Sequence, residues 1–541
     1  MLFCTTKRAF QILKKKRSTG NRIGIRILKK TMITESECIT PEPTKYTITF
    51  ESNGGSKVEN ITVRSGSTAT EPEKPTYANH KFLGWYKEVE LINLFDFNSE
   101  QIKSNITLYA KWTDVYKVTF KSGESDVESI IVTSGDKVEK PTDPAARTDY
   151  KFEGWYKDNN TFKTAFNFDT EIITENIVLY AKWKSLFIKI AAGYSHSLAL
   201  KSNGELWAWG WNANGQLGDG TTTDVLTPKK IGDGYIQISA GYAHSLALKK
   251  NGELWAWGWN ADGQLGDGTN ANVPAPKKIG DGYIQISAGY AHSLALKNGG
   301  ELWAWGLNAN GQLGDGTSGI NANKNIPTRI GKSVVEYTQI AASQTHSLAL
   351  KSNGELWAWG WNFSGQLGDG TSGTNVNVPA PKRIGENVNG YTQIAASPAL
   401  GAFHSLALKN NGELWAWGLN ADGRLGDGTK VNKNIPTRIG ESVVGYTQIS
   451  AGYAHSLALK DNGELWAWGL NVNGQLGDGT TTDVLTPKKI GDGYTQIAAG
   501  RGHSLALKDN GELWAWGLNA NGQLGDGTTT KITEPKEIKY E

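Results

Sequence analysis

One unit is copied seven times between residues 186 and 541, and this copying constrains the chain more than any other feature. The first copy reads Ile190-Ala-Ala-Gly193, His196-Ser-Leu-Ala-Leu200, Gly204-Glu-Leu-Trp-Ala-Trp-Gly210, Gly215-Gln-Leu-Gly-Asp-Gly-Thr221 and Pro228-Lys-Lys-Ile-Gly232. The histidines mark the register: His196, His244, His292, His346, His404, His455 and His503, at intervals of 48 to 58 residues. A unit of this length suits one four-stranded sheet, which cannot bury its apolar faces alone and must stack on its neighbours. The copying also explains the composition, with 65 Gly and 21 Trp against 2 Met and 2 Cys.

Within a copy, alternation of period two puts His196, Leu198 and Leu200 on one side of a strand and Ser197 and Ala199 on the other. In the next strand Trp207 and Trp209 share a face opposite Leu206, Ala208 and Gly210, so large and small faces can nest between adjacent sheets. The link Lys201-Ser-Asn-Gly204 predicts a tight hairpin, because Asn-Gly tolerates positive φ angles. Closure is expected through shared ends: the first strands of the array and its last pieces, Glu512 to Gly517 and Pro535 to Ile538, together complete one unit and remove open sheet edges.

The string Gly-Glu-Leu-Trp-Ala-Trp-Gly-x-Asn-x-x-Gly-Gln-Leu-Gly-Asp-Gly-Thr, with His-Ser-Leu-Ala-Leu upstream, resembles the regulator of chromosome condensation repeat. The resemblance implies a mainly β chain with a seven-bladed β-propeller over 186–541. It implies no single activity, because that family includes a nucleotide exchange factor for a nuclear GTPase, a secreted inhibitor of β-lactamases and modules of unknown partner.

A second repeat, of period 70, precedes the first. Tyr46-Thr-Ile-Thr-Phe50 recurs as Tyr116-Lys-Val-Thr-Phe120, Phe82-Leu-Gly-Trp-Tyr86 as Phe152-Glu-Gly-Trp-Tyr156, and Leu108-Tyr-Ala-Lys-Trp112 as Leu179-Tyr-Ala-Lys-Trp183. Each copy opens with an alternating strand, turns (at Asn53-Gly54-Gly55 in the first), crosses a Pro-containing loop and ends in a strand whose Leu, Ala and Trp share a face. These signatures are similar to the internalin B-type, or Listeria-Bacteroides, repeat, which implies two β-grasp-like modules at 44–113 and 114–184 acting as spacers or adhesion elements of a bacterial envelope or secreted protein.

Residues 1–43 form a basic leader. Ten Lys or Arg and no acid occupy residues 1 to 30, so the net charge of +3 leaves 3 − 10 = −7 for the remainder. That surplus of acid argues against a nucleic-acid-binding body. The leader lacks the continuous apolar stretch of a secretory signal; a disordered tail, a start codon placed too early and an organelle-type presequence all remain open. No segment is long and apolar enough for a transmembrane helix. Cys4 and Cys38 lie outside every repeat and make no disulfide framework for the folded parts.

Chemistry finds no foothold in the repeats. A residue filled identically in seven copies answers a need shared by all of them, so the seven histidines are read as structural, with no catalytic residue, cofactor or metal assigned. No HExxH, CxxC or Ser-His pair with a distinctive acid is present, and the Gly-rich loops lack the Lys and helix of a phosphate cradle. The Gly-Asp-Gly-Thr loops invite a calcium reading through Asp219 and Asp224. Only Asp224 and Asp483 supply the second carboxylate, which favours a turn role.

A partner is expected at one face of the ring. The loop before each His strand and the loop after each Trp strand emerge at the same end, because the hairpin between them reverses the chain. There the copies diverge, and Tyr194, Trp211, Tyr242, Trp259, Tyr290, Trp361, Phe403, Tyr453 and Arg501 are the candidate contact residues, a composition suited to a hot-spot surface. The expectation is a monomeric, non-enzymatic scaffold binding a protein or a cell-surface glycan. An intracellular exchange factor for a small GTPase and a structural repeat protein without a ligand are the alternatives.

Overall fold

A computed structural model describes residues 42–319, 321–331, 336–385, 390–440 and 445–540, with the backbone of Phe3–Cys4 and Cys38–Ile39. These two pairs form a short antiparallel ladder. The other expectations for the basic leader fall outside the described residues. The chain divides into two compact units, 1–144 with 153–182 and 145–152 with 183–541. Among the described residues the secondary structure is all strand and turn.

The first unit is built on one long strand, Ile106–Ser122, which ends the first Listeria-Bacteroides-type repeat and opens the second. Its first half pairs in parallel with Lys45–Glu51 and antiparallel with His80–Tyr86. Its second half pairs antiparallel with Ser125–Thr133 and in parallel with Ile177–Ser185. Period-two burial follows from that position: Leu108, Ala110, Val118 and Phe120 are buried, and Trp85 and Trp155 fill the centres of the two copies against Phe50 and Phe120.

The second unit is a seven-bladed β-propeller. Among the described residues, seven four-stranded antiparallel sheets follow in chain order, spanning 187–232, 235–280, 283–329, 337–383, 391–439, 446–491 and 494–538, here blades 1 to 7. In each blade the inner strand (Phe187–Ala192 in blade 1) pairs with the His strand (His196–Lys201), then the Trp strand (Leu206–Gly210), then the outer strand (Val225–Gly232). The expected nesting forms between blades. Leu246, Leu248 and Leu254 of blade 2 pack on Ala295 and Trp305 of blade 3, and the same interlock recurs around the ring. Each such tryptophan is fully buried, and losing one would cost about 3–5 kcal/mol.

The expected sharing of one sheet by the two ends is not formed. Blade 1 is complete within 187–232 and blade 7 within 494–538. The reason is phase: the chain enters at an inner strand and leaves at an outer strand, so every copy holds all four strands and the ring closes face to face. Blade 7 meets blade 1 through the contacts used elsewhere, with Trp209 Nε1 donating to Gln523 O at 2.9 Å and Leu505 and Leu513 in one cluster with Ala199 and Trp209. Tyr540 adds to this seam, its ring 4.3 Å from that of Phe187.

The histidines supply the polar part of every blade junction. His196 Nε2 lies 3.1 Å from Ser245 Oγ, and the pairing continues as His244–Ser293, His292–Ser347, His346–Ser405, His404–Ser456, His455–Ser504 and His503–Ser197. Each serine hydroxyl also donates to a backbone carbonyl, as Ser245 does to Gln216 O at 2.8 Å. A hydroxyl has one proton, so the serine must accept from His Nε2–H, which fixes the tautomer and leaves Nδ1 bare. The same carbonyl takes Trp257 Nε1–H at 2.9 Å. Gly218 is needed beside it: its φ is +79°, and a Cβ there would lie 2.7 Å from Trp257 Nε1.

Burial pushes six of these imidazoles down to about 3 and His404 well below its ordinary value, because the charged form would lose its hydration. The sign follows directly. A histidine with a lowered folded pKa contributes stability that is present above the unfolded value of 6.5 and is lost as pH falls below it. Urea midpoints of the intact chain are therefore expected to drop steeply from pH 6.5 to 5, each histidine adding a slope approaching about 1.4 kcal/mol per pH unit. A midpoint that stays level across that interval would contradict the neutral ring.

Candidate functional site

Each blade sends two loops to one end of the ring, and a backbone bond joins them. Trp211 N donates to Ser195 O at 2.9 Å, and the bond recurs at Trp259, Leu307, Trp361, Leu419, Leu470 and Leu518. The first of these loops also leans on the next blade: Tyr194 N donates to Gly241 O, Tyr242 N to Gly289 O, Tyr290 N to Ser343 O and Tyr453 N to Gly500 O, at 3.1 to 3.2 Å. The residue after each Trp strand is thus fixed beside the residue before its His strand, and in blades 1, 2, 3 and 6 the residue one place earlier is tied to the next blade.

This framework lines up aromatic rings in a crescent across blades 1 to 3. Tyr194, Tyr242 and Tyr290 form an inner row with centroids 4.4 Å apart. Trp211 fits between the first two, 6.3 Å from Tyr194 and 6.0 Å from Tyr242, and Trp259 between the next two at 5.9 and 5.7 Å. Tilted and edge-on contacts of this kind suit the ring quadrupoles. Arg501 of blade 7 ends the row, its guanidinium 4.6 Å from the Tyr194 centroid. All five rings are half-buried, while Arg501 is exposed. Burial raises the Tyr242 and Tyr290 phenols; the neighbouring tyrosines add to this at both and Asp262 at Tyr290, while Arg501 partly offsets it at Tyr242.

A second aromatic cluster lies on blades 4 and 5. Trp361 stacks on Phe363 at 5.2 Å and meets Phe403 edge-on at 5.3 Å. Phe403 ends the enlarged loop 397–403, which is braced at several points. Ser343 Oγ lies 3.0 Å from Ser397 O and 3.1 Å from Ala402 O, its one proton shared between the two carbonyls, and Gln344 Oε1 accepts from Gly401 N. From below, Arg424 Nη1 donates to Gly401 O at 3.2 Å and Tyr453 O at 3.0 Å, while Nη2 pairs with Asp422. The guanidinium also lies 5.5 Å from the Tyr453 ring centroid. Leu400, 48% exposed, is left at the tip of this rigid loop.

Of the nine residues expected from sequence, the structure brings six together in the crescent, puts Trp361 and Phe403 in the second cluster and sets Tyr453 against Arg424. Arg424, Gln344, Phe363, Leu400 and Asp262 belong to the same end of the ring and lie outside that expectation. The signal for two of them is legible in the copies: Arg424 replaces the Gln of Gly-Gln-Leu-Gly, and Phe363 the Ala of Asn-Ala-Asn. Gln344 and Leu400 need the fold, because only contact across blades shows what they brace.

The Gly-Asp-Gly-Thr carboxylates are taken up by their own loops. Asp219 accepts from Asn212 Nδ2, Thr221 N and Thr221 Oγ1 and pairs with Lys229 at 2.7 Å, which together hold its carboxyl below the usual range. Asp224 accepts from Asn212 N at 2.8 Å and from Asn521 Nδ2 of blade 7 at 3.2 Å. These oxygens serve as turn acceptors and as a link between blades. Among the described residues no group of three or more His, Cys, Asp or Glu is arranged to hold a metal ion.

Restoring the repeat residue by Arg424→Gln is expected to release loop 397–403: amide exchange at Gly401 and Ala402 should speed up, with a loss of roughly 2 kcal/mol for two charge-assisted hydrogen bonds. Unchanged protection of these amides would show that the arginine does not brace the loop.

A family model described as the RCC1-like domain matches residues 232–541, and models of the regulator of chromosome condensation (RCC1) repeat match 187–216 and 203–248. The Listeria-Bacteroides repeat domain matches 46–111 and 116–182. A protein of Evansella cellulosilytica named as a Gly-rich membrane protein is 39% identical over 145 residues, 26% of this chain and 17% of that protein. The ultraviolet-B receptor UVR8 of Arabidopsis thaliana is 32% identical over 308 residues, 56% of this chain and 57% of the receptor. The chain therefore spans less than two thirds of these curated relatives. Among solved structures, human WBSCR16 is similar with a TM-score of 0.54 at 25% identity, covering 63% of this chain and 92% of that one. Prp20p of Saccharomyces cerevisiae, studied with its binding to Gsp1p and histones, has a TM-score of 0.53 at 25% identity, covering 66% and 88%. Seven blades with these signatures, and a family match over more than half the sequence, place the chain in the RCC1-like domain family, with two Listeria-Bacteroides repeats ahead of the propeller.

Proposed function

We propose that this chain is a non-catalytic protein-binding scaffold of the bacterial envelope or exterior, in which the aromatic end of the propeller docks a protein and the Listeria-Bacteroides repeats act as spacers. The observation that carries this reading is the contiguous crescent of half-buried tyrosines and tryptophans at one end of the ring, set on loops that depart from the repeat. Such rings provide large contact area at low entropic cost and are the residues on which protein interfaces depend most. The interior is unsuited to chemistry by comparison, since its histidines spend their protons on structural serines.

The comparisons lend support at the level of class. Prp20p, of the same fold, binds proteins, and relatives of part of the chain are named as membrane proteins in a bacterium. A photoreactive amino acid placed at Ala213 or Ala261, both exposed at the aromatic end, is expected to crosslink the full chain to a protein on intact bacterial or host cells. The same probe at Asn251, at the opposite end, should not. Crosslinks removed by glycosidase would make the ligand a glycan, and faster nucleotide release from a small GTPase would replace the scaffold with an exchange factor. Equal labelling from all three positions, or none, would leave a structural repeat protein.

A further inference from the structure

The two ends of the propeller differ in charge. At the hairpin end each His strand finishes in Lys and each Trp strand is preceded by Glu. These groups are engaged: Lys249 lies between the Tyr235 and Trp255 rings at 5.1 and 4.6 Å, and Glu253 pairs with Lys278 at 2.8 Å. The same arrangement recurs at Lys297 and at Lys460 with Glu464 and Lys489. The loop segments that carry the crescent hold few charges. Across the seven loops that precede the His strands, Arg501 is the only charged side chain, and the four-residue segments after the Trp strands add only Asp262 and Asp422.

Both carboxylates accept hydrogen bonds within the fold. Asp422 pairs with the buried Arg424. Asp262 accepts from Asn323 Nδ2 at 3.1 Å, and burial raises its pKa above the usual carboxylate value. Arg501 is different. Its guanidinium rests on the Tyr194 ring and, among the described residues, no carboxylate pairs with it. A guanidinium lying over an aromatic face still has N–H groups with which to receive a carboxylate in two parallel hydrogen bonds. The surrounding rings displace water and strengthen such a pair relative to one on an open charged surface.

We infer that the docked protein presents one carboxylate to Arg501 from an otherwise uncharged, apolar segment laid along Tyr194, Trp211, Tyr242, Trp259 and Tyr290. This inference rests on the docking function proposed above and names the chemistry of the partner. The crescent supplies contact area and Arg501 sets the direction, since it stands at one end of the row only.

The test uses a random twelve-residue peptide library displayed on phage and selected against the full chain. Selected peptides are sorted by whether Trp211→Ala and Trp259→Ala abolish their binding. Those that depend on the tryptophans are expected to carry an Asp, a Glu or a free carboxyl terminus beside apolar or aromatic residues. Amidating that carboxylate, or making Arg501→Gln, should weaken binding about tenfold or more, and the two changes together should cost little more than either alone. Arg501 is exposed, so its replacement leaves the fold intact. Tryptophan-dependent peptides that lack acid, or that bind the Arg501→Gln chain equally well, overturn the inference while leaving the docking face in place. If no selected peptide depends on Trp211 or Trp259, both the face and its proposed partner fall together.

Discussion

The propeller depends on what a serine hydroxyl must do at each blade junction. Ser245 accepts from the His196 ring and donates to Gln216 O, while the same carbonyl takes the Trp257 indole N–H. Three side chains and one backbone group from adjoining blades are thereby satisfied in a space from which water is excluded. An unpaired polar group buried there would cost about 1–3 kcal/mol. The requirement applies seven times, so the His-Ser pair, the second Trp of each Trp strand and the glycine that admits its indole are held constant across the copies. Closure follows from the same rule, since the seam between blades 7 and 1 carries the identical set of bonds.

With the junctions fixed, variation is confined to positions that face solvent or fill leftover space. The loops at the aromatic end are positioned by backbone bonds that any side chain permits, so residues there can change without disturbing the ring. Blade 5 shows the cost when the change is large. Its longer loop is anchored by converting a repeat glutamine into Arg424, whose guanidinium needs carbonyls and Asp422 to be tolerated at 2% exposure.

The sequence made the blade count, the strand alternation and the large-on-small nesting legible because each rests on local patterning repeated seven times. His196 and Ser197 alternate in sequence, and the structure sends one to the next blade and the other to the previous one. The manner of closure was not legible. Sharing one sheet and packing two complete sheets use the same strand pattern, and only the phase at which the chain enters separates them. Similarly, sequence identified the residues of the aromatic end but not their grouping. That Tyr194 touches Tyr242 and Arg501 depends on the bond from Tyr194 N to Gly241 O, a contact between blades that no spacing along the chain encodes. In the first unit, the continuity of Ile106–Ser122 through two repeats is likewise a property of strand pairing, and the period of 70 is compatible with separate modules as well.

The two ends of the blades differ in how far their side chains are already engaged, and the proposed docking at one of them rests on that difference. At the hairpin end every lysine that closes a His strand lies over rings of its own blade, and among the described residues six of the seven glutamates that follow pair with outer-strand cations; this end meets water with most of its interactions already made. At the other end the loop backbone is joined across blades while the crescent rings expose part of their area, and among the described residues Arg501 has a ring beside it and no carboxylate paired with it. Binding free energy comes from groups whose best partners are absent in the free protein. In this chain the part-exposed rings and Arg501 are such groups, so a partner docked as proposed would draw its discrimination from them.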